Sequence, residues 1–323
     1  MNIRIILSLL IVSVILSCDN ELVLTEKGPT FPITYAIFDQ GDTAQYVRVE
    51  KAFIDEKISA IELARDPNNL YYDKVQVSLK SVTKNTTFNF NKVDGNLEGF
   101  RRDSGAFASR PNTLYKVKPP KDFFNKDNEF ELKVTIEDSI IYTGRTKIVQ
   151  PAFLVKPSPN TSIDFDDVLN IRYSWNPGEN STNHSMVLRI RVSESANGEP
   201  FKEKTIIWNL FSNVTADRYE FNGKEFYSLL ASNLTASPSI RRFFSGIDVI
   251  FTSGGKSLTD YITVGQANLG ITSSGEIPVF TNLTRGRGVV GSRAKVELKN
   301  LPVSRNTTDR LKNNALTKTL NFQ

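Results

Sequence analysis

Side chains that carry chemistry are scarce in this chain: one cysteine and one histidine among 323 residues, with two tryptophans and two methionines. A single cysteine excludes a disulfide framework within the chain, and one cysteine with one histidine cannot assemble a Cys/His zinc cluster. Any Ser-His or Cys-His catalytic arrangement would have to use His184. Charge of one sign is lacking too, with 40 basic residues against 35 acidic. The apolar run at residues 5–16 has 12 residues, short of the roughly 20 that span a bilayer as a helix. What is present is length: 323 residues, 39% of them hydrophobic, suit two ordinary domains, each with its own packed core.

The first residues place the chain. Arg4, the apolar run 5–16 and the small Ser17 before Cys18 have the order of a secretory signal, so residues 1–17 read as a leader. The stretch Ile15-Leu16-Ser17-Cys18 resembles the lipobox of bacterial lipoproteins. The resemblance implies that Cys18 becomes the lipidated first residue, which uses the only thiol as an anchor. Several acyl chains on one residue meet the rule that stable anchoring takes more than one. Asp19-Asn20-Glu21 resembles the acidic surface-export signal of Bacteroidota lipoproteins, which implies display on the cell surface ahead of a periplasmic orientation. Removing the leader leaves 39 basic and 35 acidic residues, without a long basic run, which argues against nucleic acid as a partner.

After a polar tether at residues 18–30, period-two alternation dominates. Val75, Val77 and Leu79 alternate with polar residues, as do Phe130, Leu132, Val134 and Ile136, and Asp138-Ser139 turns the chain. Lys84-Asn85 makes a hairpin turn, and a short helix is expected within residues 56–64, stopped by Asp66-Pro67. Prolines at 151, 157 and 159 mark a boundary. Beyond it, Leu169, Ile171, Tyr173 and Trp175 form one inward series, and Met186, Leu188, Ile190 and Val192 another. Residues 179–185 read as a polar loop holding His184. Asn222 and Glu225 form a capping box for a helix near 223–237, with Phe226, Leu229, Leu230 and Leu234 on one face. Strands are expected at 247–251 and 261–264, and residues 301–323 form a polar tail with a short helix. The pattern predicts a mainly β chain: tandem immunoglobulin- or fibronectin-III-like β-sandwiches at 31–150 and 151–300, the second with a helical insertion.

Candidate sites are few. His184 has no aromatic or cationic neighbours in sequence, so an exposed loop position is expected. Asp164, Asp166 and Asp167 are the best calcium candidate, although the glycine and closing glutamate of an EF-hand are missing. The stretch 285–291 is glycine-rich and basic but lacks the Gly-Lys-Ser/Thr ending of a phosphate loop, so it reads as a glycine-rich hairpin. No cofactor is implied, and no carboxylate pair is singled out for glycoside hydrolysis. Ring faces stack on sugars. Trp175 continues an inward series; Trp208 is the candidate ligand-contact aromatic, though its apolar setting favours burial. Eight Asn-x-Ser/Thr sequons reflect asparagine in turns. Asp42-Thr43-Ala44 and Asp138-Ser139-Ile140 resemble the O-glycosylation motif of Bacteroidota exported proteins, which implies Thr43 and Ser139 as acceptors.

With its lipobox, the early strand at 45–53, the stretch 103–108 and the late glycine-bearing segment 279–293, the chain resembles a family of Bacteroidota outer-membrane lipoproteins. That family has no established activity, so no functional residue is carried over. The resemblance implies a lipid anchor in the outer membrane; the anchor, the tether and the lack of a catalytic signature point to a non-enzymatic binding or adhesion role. The partner would be an outer-membrane protein complex or an extracellular polymer. An accessory glycan-binding lipoprotein of an outer-membrane nutrient-uptake complex is the alternative, and a carboxylate-dependent hydrolase the third.

Overall fold

A computed structural model describes residues 30–52, 58–120, 122–124, 127–267 and 279–323. The leader, Cys18 and the tether up to residue 29 lie outside the described residues, as do residues 56 and 57 of the first expected helix.

Alternation becomes strands where it was expected. The first half holds β1 (Pro32–Asp39), β2 (Gln45–Lys51), β3 (Val75–Ser81), β4 (Thr86–Asn89), β5 (Asn91–Asp94), β6 (Thr113–Val117), β7 (Glu129–Ile136) and β8 (Ile140–Lys147). Between β2 and β3 lie two short helices, α1 (Ala60–Arg65) and α2 (Pro67–Leu70). Asp66 ends the first and caps the second, its carboxylate accepting from the Asn68 N–H at 2.9 Å. The second half holds β9 (Phe153–Lys156), β10 (Asn170–Asn176), β11 (Ser181–Ala196), β12 (Lys202–Val214) and β13 (Arg218–Asn222). It continues through α3 (Lys224–Asn233), β14 (Ile240–Gly255), α4 (Lys256–Ala267), β15 (Arg287–Leu301) and α5 (Arg305–Asn313). At the start of α3 the N-cap is Gly223, one residue later than expected; the Asn222 side chain accepts from the Lys224 N–H, and Glu225 reaches back to the Asn222 N–H.

The chain is mainly β and has two sandwich cores. Its class and layers fit the expectation of a mainly β chain with two sandwich cores, with α3 as the helical insertion in the second. One core lies between β4-β3-β7-β8 and the β1, β2 and β6 part of an eight-stranded sheet, and is built on Phe38, Val47, Phe130, Leu132 and Tyr142. The other lies between β13-β10-β9 and β12-β11-β14 of that same sheet, and is built on Trp175, Met186, Leu188, Phe226 and Phe251.

The shared sheet runs β12-β11-β14-β15-β1-β2-β6-β5 through both cores. The strand β15 is the link. Its later residues pair antiparallel with β14, and its first seven, Arg287 to Arg293, pair parallel with β1 from Ile33 to Asp39. This corrects the reading of 285–291 as a hairpin: the glycines admit a neighbouring strand. Gly288 has φ +116°, and a Cβ there would sit 2.0 Å from the Thr34 carbonyl oxygen. The first core also takes in Leu283 and Val290 from this late segment.

A second correction concerns residues 261–264, which belong to α4 rather than to a strand. Leu258, Tyr261 and Ile262 follow the i, i+3, i+4 spacing of a helix face, and Lys256 pairs with Asp260 one turn on at 2.8 Å. Residues 301–323 are polar in composition but docked. Leu311, Leu320 and Phe322 enter the second core, and buried Arg242 donates to the Leu320 and Thr235 carbonyls and pairs with Glu194 at 2.6 Å.

His184 requires a third correction. It lies inside β11 and is 2% exposed, not in a solvated loop. The inward parity of Met186, Leu188, Ile190 and Val192 extends back to it. Its ring lies 5.2 Å from that of Trp175 and 5.5 Å from that of Phe251, and Nδ1 is 3.0 Å from Ser253 Oγ.

Candidate functional site

The outer face of the shared sheet, opposite the first core, carries a cleft of about 240 Å3. Alternation along β1 sends Ala36 and Phe38 into the core and leaves Tyr35 and Ile37 on the outside, each 37% exposed. On β2 the same parity leaves Tyr46 and Arg48 outward, and Arg48 stands across from Tyr35 in register. Leu114 of β6 and Arg293 of β15 complete the floor, and Phe100 closes one side. Behind Tyr35, outside the cleft lining, stands α4: its Tyr261 ring meets Tyr35 edge-on at 6.0 Å and donates its hydroxyl to the Tyr35 hydroxyl at 3.1 Å.

The walls are tied to the sheet by ion pairs. The connection at residues 95–112 brings Phe100 against Tyr46, ring centroids 4.7 Å apart. Glu98 accepts from the Tyr46 hydroxyl at 2.9 Å and pairs with Lys116. Arg102 donates to Tyr71 at 3.2 Å and pairs with Glu50, which also holds Arg48 at 3.0 Å. Arg48 reaches Asn112 as well, at 3.0 Å. Burial first, then the Tyr261 hydrogen bond, raises the Tyr35 phenol above its ordinary value, so the ring stays neutral. Tyr46 is raised in the same way by burial and by Glu98.

Carboxylates border the cleft on two sides, Glu98 and Glu50 behind Tyr46 and Arg48, and Asp42 beside Arg293. Asp42 lines the cleft. Asp39 sits just beneath, its carboxylate accepting from the Gly41 N–H at 2.9 Å, and burial raises its pKa. Arg293 lies 3.5 Å from Asp39 and 3.7 Å from Asp42. The cleft therefore offers flat rings with fixed polar groups around them, suited to stacking and hydrogen bonding.

The residues singled out from sequence are placed elsewhere. Trp208 is 9% exposed, its ring edge-on to Phe221 at 5.6 Å, under a groove of about 470 Å3 lined by Asn222, Lys224, Glu225, Ser228 and Leu229. It lines that groove but is almost wholly covered. Trp175 is core, as its series implied. The three aspartates converge on a guanidinium in place of a metal: Arg310 lies 3.7, 2.7 and 3.3 Å from Asp164, Asp166 and Asp167. Asp166 also accepts from the Val168 and Leu169 N–H groups, which together hold its pKa below the usual carboxylate value. Among the described residues no cluster of His, Cys, Asp or Glu is arranged to hold a metal ion. Thr43 and Ser139 are exposed in the β1–β2 and β7–β8 turns. Four sequon asparagines, at 85, 160, 180 and 213, have left-handed φ between 53° and 63°.

The cleft residues escaped sequence reasoning because they come from positions 35, 46, 48, 100 and 293. One signal was available. The stretch from Pro32 to Asp39 has apolar residues on both parities, the pattern of a strand contacted on both faces.

No family model matches the chain, and no curated protein matches it. Among solved structures, the chain is similar to the crystal structure of Ig1 and Ig2 of DIP-gamma, at 7% identity. The match covers 82% of this chain and 98% of that one, with a TM-score of 0.18. No residue or activity is carried over from it. Among the described residues no helix is long and apolar enough to cross a membrane.

Proposed function

We propose that this chain is an outer-membrane lipoprotein, anchored through Cys18 and displayed on the cell surface, that binds its ligand without catalysis in the cleft floored by Tyr35. The lipobox and the acidic residues after it support the address. The observation that carries the binding role is the gathering of Tyr35, Tyr46 and Phe100 in one open cleft, with Tyr261 packed against Tyr35 from outside it. Asp42 alone lines the cleft as a carboxylate, and it faces Arg293, whereas hydrolysis by two carboxylates would require a second acid across the opening.

Within that role the ring platform favours a glycan as the ligand, because aromatic faces pack against the apolar faces of sugar rings while Arg48 and Arg293 supply donors at the rim. This supports the accessory glycan-binding reading, with the platform on the first sandwich and not at Trp208. Probing a glycan array with the full chain tests the ligand class. Retention on a defined set of oligosaccharides is the expected result; an array without binding would remove the glycan reading and leave a protein ligand.

A further inference from the structure

We propose that the folded body rests directly on the lipid surface that holds its anchor, through an apolar tip made by Ile61, Leu97 and Phe107. This inference builds on the Cys18 anchor but makes a separate claim. The strand pairing fixes one end of the sheet: Pro32 at the start of β1 pairs with Lys51 at the end of β2, and Asp94 of β5 pairs with Thr113 of β6. The β2–β6 register, Val47 with Tyr115, puts the 95–112 connection at this same end. The helices α1 and α2 follow β2 directly and pack there too, since Lys51 donates to the Asn68 carbonyl at 3.3 Å. The chain leading back to Cys18 therefore leaves the body beside these two segments. Residues 18–29 can extend at most about 40 Å, so the anchor lies within that reach of this end.

The segments at that end place three exposed apolar side chains together. Leu97 is 87% exposed, Ile61 56% and Phe107 50%. They belong to one neighbourhood: the Ala108 N–H donates to the Ala64 carbonyl of α1, Asn96 bonds the Ser109 carbonyl, and the Arg102 guanidinium lies over the Phe107 ring. The flanking exposed charges balance, Arg65, Arg101 and Arg110 against Glu62, Asp66 and Asp103. Among the described residues, neither an acidic protein partner nor an anionic headgroup has an excess of cations to meet here. The chemistry fits shallow insertion of apolar side chains among lipid headgroups, independent of lipid charge.

The test uses the full chain purified from membranes and placed on phosphatidylcholine vesicles. Leu97→Cys and, as control, Ile207→Cys on the other sandwich (52% exposed) each receive one environment-sensitive fluorophore. Lipids with a quencher near the headgroup should quench the probe at 97 at least two-fold more than the probe at 207. Equal quenching on vesicle-bound chain overturns the docking and leaves the anchor intact. The same pair in a Cys18→Ser background separates the two claims. Release from vesicles supports the anchor, and continued pelleting with the probe at 97 quenched supports docking without it. Absence from vesicles in both backgrounds overturns both.

Discussion

His184 owes its titration to burial. Enclosed by Trp175 and Phe251, with Ser253 as its hydrogen-bond partner, it is pushed by desolvation from 6.5 down to about 4. The unfolded chain binds a proton near pH 6.5 and the folded chain only near 4. Stability that is full above 6.5 is therefore lost as pH falls through that window. The loss is about 3 kcal/mol once pH reaches 4, because each tenfold drop in proton affinity on folding is worth about 1.4 kcal/mol. Urea midpoints of the natural chain and of His184→Gln, followed from pH 7 to 4, should separate on acidification, the variant lacking this component. Parallel curves would contradict the assignment. This residue also shows how a composition argument misleads. A lone histidine among Asn, Ser and Thr looks solvated, and only the parity of the following strand gives its inward direction.

At the scale of elements, β15 is the part the sequence concealed. Alternation in β3, β7, β10 and β11 is legible because each has one wet and one dry face, and hairpin turns are marked by local residues such as Asn85 and Asp138. A parallel partner leaves no such mark. The mate of Arg287 to Arg293 is β1, more than 250 positions earlier, so the glycines looked like a turn. Their use is steric, at Gly288 against Thr34 and at Gly286 against Pro32, whose carbonyl oxygen would lie 2.2 Å from an added Cβ. Gly288→Ala should cost about 1–3 kcal/mol through left-handed strain, with the loss of the β1–β15 register added to it. Gly105→Ala, with open space around it and no positive φ, should be close to neutral. Denaturant midpoints of the two variants decide this; equal midpoints would mean that β1 and β15 do not pack as described. The helix α4 was missed for a related reason, since Ile262, Thr263 and Val264 carry β-branched side chains that favour a strand locally. Packing on β15 and β11 overrides that preference.

For the whole molecule, two cores fastened to one sheet make a continuous outer face, and the cleft occupies it where β1, β2 and β15 meet. Composition and alternation announced the β class and the two cores. They could not announce the cleft, because its rings are individually ordinary and only the shared sheet brings them together. The 95–112 connection serves both features, with Phe100 in the cleft wall and Leu97 and Phe107 in the apolar tip. The direct measurement is binding of a fluorescent oligosaccharide, chosen from the array, to intact cells carrying the natural chain, Tyr35→Ala or Trp208→Phe at equal surface levels. Cells with the natural chain and with Trp208→Phe should be labelled alike, and those with Tyr35→Ala about ten-fold less, a loss of roughly 1.4 kcal/mol. Undiminished labelling with Tyr35→Ala, or labelling that appears only after the outer membrane is opened, would contradict a surface-displayed ligand site in this cleft.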